Sequence, residues 1–230
     1  MIDIEVLETK FSATEGGPDV SAVLMRPSNA HALMVFGHGA GTPIRHPLTA
    51  EIANALAGPE IATFRFNYPY SEQGRQTEWR SSLDPLEVLL STVFSAEAVS
   101  AKAAPELPLF VGGRSMSSQL VSLAVANGTT PDARGVVLFA FPMRWQLLLA
   151  DPVAHLKNVL APMLFIQGNR DDLTDLGELQ AILDGLGERA TLRVVDGADH
   201  FYNLPESSGR TQKDATLEVA EAVRNWMSDF

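Results

Sequence analysis

The chain is built from short, mostly apolar runs, each closed by a glycine-bearing or polar loop and each followed by a stretch of helical spacing. Ala32–Phe36 runs into Gly37, Ile61–Phe66 into Asn67, Leu109–Val111 into Gly112-Gly113, Gly135–Phe141 into Pro142, Pro162–Gln167 into Gly168, and Thr191–Val195 into Asp196-Gly197. A continuous apolar run of this length fits a strand covered on both faces. Between the runs lie segments with one apolar side: Pro47–Ala57, a helix after Asp84-Pro85 carrying Leu86, Leu89, Leu90, Val93 and Phe94, then Leu120–Ala126, Leu176–Leu186 and Gln212–Met227. Strand alternating with helix along the whole length dictates a mostly parallel sheet with helices on both faces.

The N-terminal part differs. Ile2–Phe11 alternates, with Ile2, Ile4 and Val6 on one side, and reads as a half-buried edge strand. Gly16-Gly17-Pro18-Asp19 is a turn, and Val20–Met25 a second strand, so an antiparallel hairpin is expected at a sheet edge. The expected fold is therefore α/β, with about eight strands, an antiparallel N-terminal edge and helices on both faces. No linker, repeat or lid-sized insertion interrupts residues 1–230, which are read as a single domain. Asp84, Pro85 and Glu87 are expected to cap the second of these helices. Residues 67–80 are expected as a loop, and a short helix is expected near Pro152–Asn158.

In such sheets the active crevice lies at the carboxyl ends of the strands. The segment Leu109-Phe110-Val111-Gly112-Gly113-Arg114-Ser115-Met116-Ser117 places a serine at a sharp strand-to-helix turn, where its hydroxyl stands clear of the sheet. Gly113 suits a crowded corner. Ser117 makes the motif G-x-S-x-S where G-x-S-x-G is usual. Asp171 and His200 also follow strands, and serine, acid, histidine is the chain order of nucleophile-elbow hydrolases. A serine hydroxyl needs a base, which His200 can provide, and a carboxylate to hold the imidazole, which Asp171 can provide. Asp172 is the adjacent candidate for the acid, and Asp175 is read as a helix cap. The tetrahedral oxyanion needs fixed donors, and the backbone N–H groups of Met116 and Ala40, beside Gly39, are the candidates. His38 is read as a brace for this glycine loop, and His31, His46 and His155 as structural.

Two other patterns point to different chemistry. Gly37-x-Gly39-x-Gly41 has its third glycine one residue early for a dinucleotide fingerprint, and the next strand ends at Asn67 without the expected acid. Asp196, Asp199 and His200 lack a third ligand at helical or hairpin spacing, so neither metal nor cofactor is expected. Zero cysteines excludes disulfides, cysteine catalysis and thiolate metal sites, and a net charge of −11 argues against nucleic acid or an anionic membrane as partner. The first residues carry no signal-peptide pattern and no apolar run reaches ~20 residues, so the expected location is cytoplasmic with no membrane partner.

Three stretches carry a family resemblance: Phe36-Gly37-His38-Gly39-Ala40-Gly41, Phe64-Arg65-Phe66-Asn67-Tyr68-Pro69-Tyr70 and Gly112-Gly113-Arg114-Ser115-Met116-Ser117. With Phe165-Ile166-Gln167-Gly168-Asn169-Arg170-Asp171 and Gly197-Ala198-Asp199-His200, they make the chain similar to the α/β-hydrolase superfamily, in its dienelactone-hydrolase-like region, and most of all to the small lidless predicted hydrolases. The resemblance implies triad roles for Ser115, Asp171 and His200. Ser117-Ser118 stands where that group usually shows glycines, and a hydroxyl there either crowds the corner or lends a hydrogen bond. The expected activity is hydrolysis of small esters or thioesters through an acyl-serine intermediate. The alternative is a non-catalytic binding module on the same fold. Arg45, Arg75, Arg80, Arg114, Arg144 and Arg170 all fall at or after carboxyl ends of strands, a pattern that suits an anion-recruiting mouth unless neighbouring acids neutralise it.

Overall fold

Eight strands form one sheet in the order β1-β2-β4-β3-β5-β6-β7-β8. The structure is a computed structural model and describes residues 3–58, 60–130, 132–146 and 148–230. Ile2, assigned from sequence to the first strand, and Pro59, assigned to a helix stop, lie outside the described residues. The strands are β1 (Ile4–Ser12), β2 (Asp19–Pro27), β3 (Ala32–Gly37), β4 (Ile61–Phe66), β5 (Leu109–Arg114), β6 (Val136–Phe139), β7 (Met163–Gly168) and β8 (Ala190–Val195). β1 and β2 pair antiparallel, as do β2 and β4; every pairing from β4 through β3 to β8 is parallel.

Helices α1 (Pro47–Ala57), α2 (Pro69–Glu72), α3 (Trp79–Ser82), α4 (Leu86–Ala103), α5 (Met116–Ala126), α6 (Leu176–Leu186) and α7 (Gln212–Met227) surround this sheet. The side-chain alternation of the strands divides the interior into two cores. Leu33 and Val35 of β3 pack with Leu89 and Val93 of α4 and Leu120 of α5. Ala32, Met34 and Phe36 point the other way, to Leu48 and Ile52 of α1 and Val219 and Trp226 of α7. This is the period-two signature of a sheet covered on both faces. α1 starts at Pro47 with the His46 ring accepting from the Leu48 N–H at 3.2 Å, and α7 starts with a capping box between Thr211 and Asp214.

Several expectations are corrected. β1 is not half-buried: Ile4 and Val6 are 41% and 55% exposed, and Phe11 is its one buried side chain among the described residues. The reason is geometric. At the sheet edge, α4 reaches only the far end of β1, where Ser95 Oγ donates to the Ala13 carbonyl at 3.3 Å. Asp84 does not cap α4, whose N-cap position is Pro85. Its carboxylate accepts instead from the Tyr70 N–H at 2.7 Å and from Arg75 at 2.9 Å, which ties residues 69–84 into a compact unit. That unit holds α2, α3 and a 3-10 turn over Arg75–Glu78, so the expected loop is largely helical. The short helix near Pro152–Asn158 is a 3-10 turn over Leu156–Asn158.

Trp226 closes the second core. Its ring lies edge-on to Phe110 with centroids 6.1 Å apart, above Gly135, where a Cβ would come within 2.6 Å of the indole. Replacing Trp226 by alanine is expected to cost about 3–5 kcal/mol, read as a lowered midpoint in urea unfolding with the slope unchanged.

Candidate active site

The parallel register decides which loops meet. Gly37 of β3 lies opposite Gly113 of β5, and Arg114 opposite Phe139 of β6. The loops leaving β3, β5, β7 and β8 therefore emerge side by side at one end of the sheet. Ser115 stands in the turn from β5 to α5 at φ +53° and ψ −117°, a conformation rare for a residue with a side chain. Its N–H donates to the Phe139 carbonyl at 2.9 Å, and its carbonyl accepts from the Ser118 N–H and from Ser118 Oγ at 2.9 and 2.6 Å. The strained corner is thus held from both sides.

Ser115 Oγ lies 2.9 Å from His200 Nε2, and His200 Nδ1 lies 2.8 Å from Asp171 Oδ2. The Asp171 carboxylate is buried and receives two further donors, Gln167 Nε2 at 2.6 Å and the Leu173 N–H at 2.9 Å. Asp172 is exposed, and its carbonyl rather than its side chain meets Arg144. Asp175 caps α6, accepting from the N–H groups of Gly177 and Glu178. Of the neighbouring acids, only Asp171 is brought to the histidine. Asp199 accepts from the Phe201 and Asn203 N–H groups and so shapes the loop that carries His200, while Asp196 accepts from Asn169 at 2.7 Å. A hydroxyl in this arrangement can pass its proton to the imidazole, whose charged form the carboxylate stabilises.

The glycine loop after β3 is braced throughout. His38 is fully buried, with Nδ1 2.7 Å from the Gly39 carbonyl and Nε2 3.1 Å from Ser71 Oγ. Burial pushes its pKa down to about 4, outweighing the bond to Gly39. Tyr70 Oη donates to the Ala40 carbonyl at 2.7 Å. Among the described residues the Ala40 N–H meets no acceptor, and the Met116 N–H, first in α5, has none in its own helix. α1 begins only at Pro47, well past Gly41, so this loop lacks the glycine-to-helix junction of a dinucleotide site. His46 caps α1 and also borders the cavity, His155 meets Ser122 Oγ at 2.7 Å, and His31 is exposed.

Ser117 resolves the question its sequence position raised. Its side chain is buried against the paired ends of β3 and β5, where a Cβ on Gly37 or Gly113 would come within 2.6 Å or 2.3 Å of Ser117 atoms. Its hydroxyl donates to the His38 carbonyl at 2.5 Å and meets Tyr68 Oη at 2.8 Å. The extra hydroxyl therefore ties the first turn of α5 to the glycine loop instead of crowding it.

A cavity of about 530 Å³ opens over Ser115 and His200, walled by Ala40, Thr42, His46, Gln76, Arg80, Trp145, Leu173 and Phe201 among others. Arg114 also borders it. This side chain is 2% exposed, donates to the His200 carbonyl at 2.6 Å and lies 4.8 Å from the centroid of the Phe201 ring. Burial pushes its pKa down to about 10, against the pull of Tyr202, Asp171 and Asp199. Tyr68, Tyr70 and Gln167 escaped the sequence reading. Gln167 had a signal, being the lone amide in an otherwise apolar strand run.

The family model described as alpha/beta hydrolase domain matches residues 30–228. The chain belongs to the alpha/beta hydrolase domain family. No curated protein matches it in sequence. Among solved structures, the chain is similar to a dienelactone hydrolase from Anabaena variabilis, at TM-score 0.77 and 20% identity over 98% of each chain. It is also similar to a Xanthomonas campestris serine hydrolase without a lid, at TM-score 0.72 and 18% identity, covering 96% of this chain and 95% of that one. An esterase from an Arctic intertidal metagenomic library matches at TM-score 0.71 and 16% identity, over 96% and 94%. These identities support a shared fold.

Two expectations follow. Ser117→Ala strips a partner from the His38 carbonyl and from Tyr68 Oη, both buried, and is expected to lose about 1–3 kcal/mol of stability in denaturant titrations. His38 is neutral in the fold above about pH 4, whereas the unfolded chain protonates it below about 6.5. In that window the unfolded state binds more protons, so His38 lowers stability as pH falls. His38→Gln is expected to flatten the acid limb of the stability curve by up to about 1.4 kcal/mol per pH unit.

Proposed function

We propose that this protein is a serine hydrolase that cleaves small carboxylic esters or thioesters. The observation that carries the reading is the hydrogen-bonded chain from Ser115 Oγ through His200 to Asp171, at 2.9 and 2.8 Å, beneath an open cavity. In the first step Ser115 Oγ attacks the ester carbonyl while His200 Nε2 takes its proton. Asp171 holds the imidazole tautomer and stabilises the imidazolium. The N–H groups of Ala40 and Met116 receive the oxyanion, a contribution typically worth about 10²–10³ in rate for each donor. Collapse breaks the bond to the leaving alcohol or thiol, which takes the proton from His200. Water then attacks the acyl-Ser115 with His200 as base, and a second collapse frees the acid and restores Ser115.

No cofactor enters this scheme. A cavity of about 530 Å³ suits a small substrate, consistent with the lidless hydrolase among the structural neighbours. We read residues 1–230 as one hydrolase domain, because every strand joins one sheet. A cytoplasmic site of action belongs to the same reading; among the described residues no helix is long and apolar enough to cross a membrane.

The test is intact-mass labelling with a fluorophosphonate probe. One adduct on the parent and none on Ser115→Ala is expected. A folded parent that takes no adduct would move the protein to the non-catalytic binding reading. Asp171→Asn, which leaves the imidazole in the wrong tautomer, is expected to lower kcat by roughly 10³–10⁴-fold towards a phenyl ester.

A further inference from the structure

Six arginines lie at or after the carboxyl ends of the strands. Arg45 pairs with Glu8, Arg75 with Asp84 and Arg144 with Asp175, and the exposed Arg170 reaches the Gly197 carbonyl. Arg80 and Arg114 both border the cavity over Ser115. Among the described residues that line this cavity there is no aspartate or glutamate. In a chain of net charge −11, a cavity wall that holds Arg114 and no acid stands apart from the rest of the surface.

Arg114 is the anchor of that wall. Its guanidinium is buried, yet among the described residues it has no carboxylate within ion-pair distance, and Nε meets no acceptor at all. Its one hydrogen bond among the described residues runs from Nη2 to the His200 carbonyl. The nearby acids are engaged elsewhere, Asp171 with His200 and Gln167, and Asp199 with backbone N–H groups of its own loop. On the other side, Nη1 faces Gly39: a Cβ at that glycine would sit 2.7 Å from it. The missing side chain at Gly39 lets the loop pack directly against Nη1, and Arg114 itself lines the cavity over Ser115. A buried cation without a counter-ion is costly, and a planar guanidinium fork matches a carboxylate.

We propose that Arg114 anchors a carboxylate carried by the substrate, so that the enzyme selects anionic esters over neutral ones. The inference rests on the hydrolase reading above and names its substrate class. Arg114 and Ser115 are adjacent in the chain, so the carboxylate lies only a few bonds from the ester. That carboxylate belongs either to the acyl part or to the leaving group.

Two matched pairs test the inference. Phenyl pentanoate against monophenyl glutarate carries the charge on the acyl side; phenyl acetate against 4-acetoxybenzoate carries it on the leaving group. Each ratio of kcat/KM is normalised to the alkaline hydrolysis rates. The parent is expected to favour the anionic member of one pair by roughly ten- to a hundredfold, the range for a hydrogen bond to a charged group. Arg114→Met is expected to bring that ratio to near one, and Arg114→Lys to keep part of it. Taking the ratio within each variant cancels any general disturbance of His200, which a merely structural Arg114 would produce. A parent ratio at or below one for both pairs overturns the inference, as does an unchanged ratio in Arg114→Met.

Should Arg114→Met fail to fold, glutarate is expected to inhibit phenyl acetate hydrolysis by the parent more strongly than pentanamide does, and equal inhibition overturns the inference. Failure of the hydrolase reading is distinguishable. Calorimetric binding of 4-nitrobenzoate against 4-nitrobenzamide needs no active serine and is also measured on Ser115→Ala. Adduct formation at Ser115 without carboxylate preference sinks the anion site alone. Carboxylate-selective binding without adduct formation sinks the hydrolase reading and sustains the anion site.

Discussion

The close approach of the first turn of α5 to β3 and β5 is the constraint on which the site depends. Ser115 is held at a positive φ, a conformation that costs on the order of 1–3 kcal/mol and persists only where the surroundings over-determine it. The surroundings here are specific. Gly37 and Gly113 have no side chains because Ser117 occupies the space theirs would fill. The Ser117 hydroxyl then converts contact into linkage, bonding to the His38 carbonyl and to Tyr68. The serine corner and the glycine loop, far apart in sequence, are thereby one rigid piece.

That rigidity matters for chemistry because donors help a developing oxyanion only if they are already in place. The loop over residues 38–42 is bonded at nearly every carbonyl: His38 to Ser117, Gly39 to the His38 ring and the Thr42 N–H, Ala40 to Tyr70, and Thr42 to Thr49. The Ala40 N–H stays without an acceptor among the described residues. His38 contributes as a neutral brace, since full burial disfavours its charged form. The acid–histidine side is built differently. Asp171 is buried under three donors, and the His200 loop is shaped by Asp199 and tethered through its carbonyl to Arg114.

Much of the fold was legible in the apolar runs. α1, α6 and α7 have the bounds their spacing implies, and β4 spans the residues of its run. The misreadings share one cause. β1 has the alternation of a half-buried strand, but alternation says only which faces differ, not whether a helix covers one of them. Asp84 has the local pattern of a cap, but a carboxylate bonds to the nearest donors, and the fold brings Tyr70 and Arg75 closer. Residues 69–82 carry too little periodicity to register as helix, and their short turns depend on that same aspartate.

For the site, the chain order and the positions after strands were enough to nominate Ser115, Asp171, His200, Ala40 and Met116, because a parallel sheet sends every such loop to one end. Sequence could not decide between the neighbouring acids at 171 and 172. Only the tertiary structure turns one carboxylate inward to His200 and leaves the other exposed. It could not decide whether Ser117 breaks or braces the corner, since that depends on His38 and Tyr68 in the loops after β3 and β4. Nor could it show that Arg45, Arg75 and Arg144 meet acids while Arg114 is buried at the cavity without one among the described residues. Covalent order and apolar periodicity determine which elements form and where their loops emerge. Side-chain partners come from distant parts of the chain, and only packing brings them within hydrogen-bond distance.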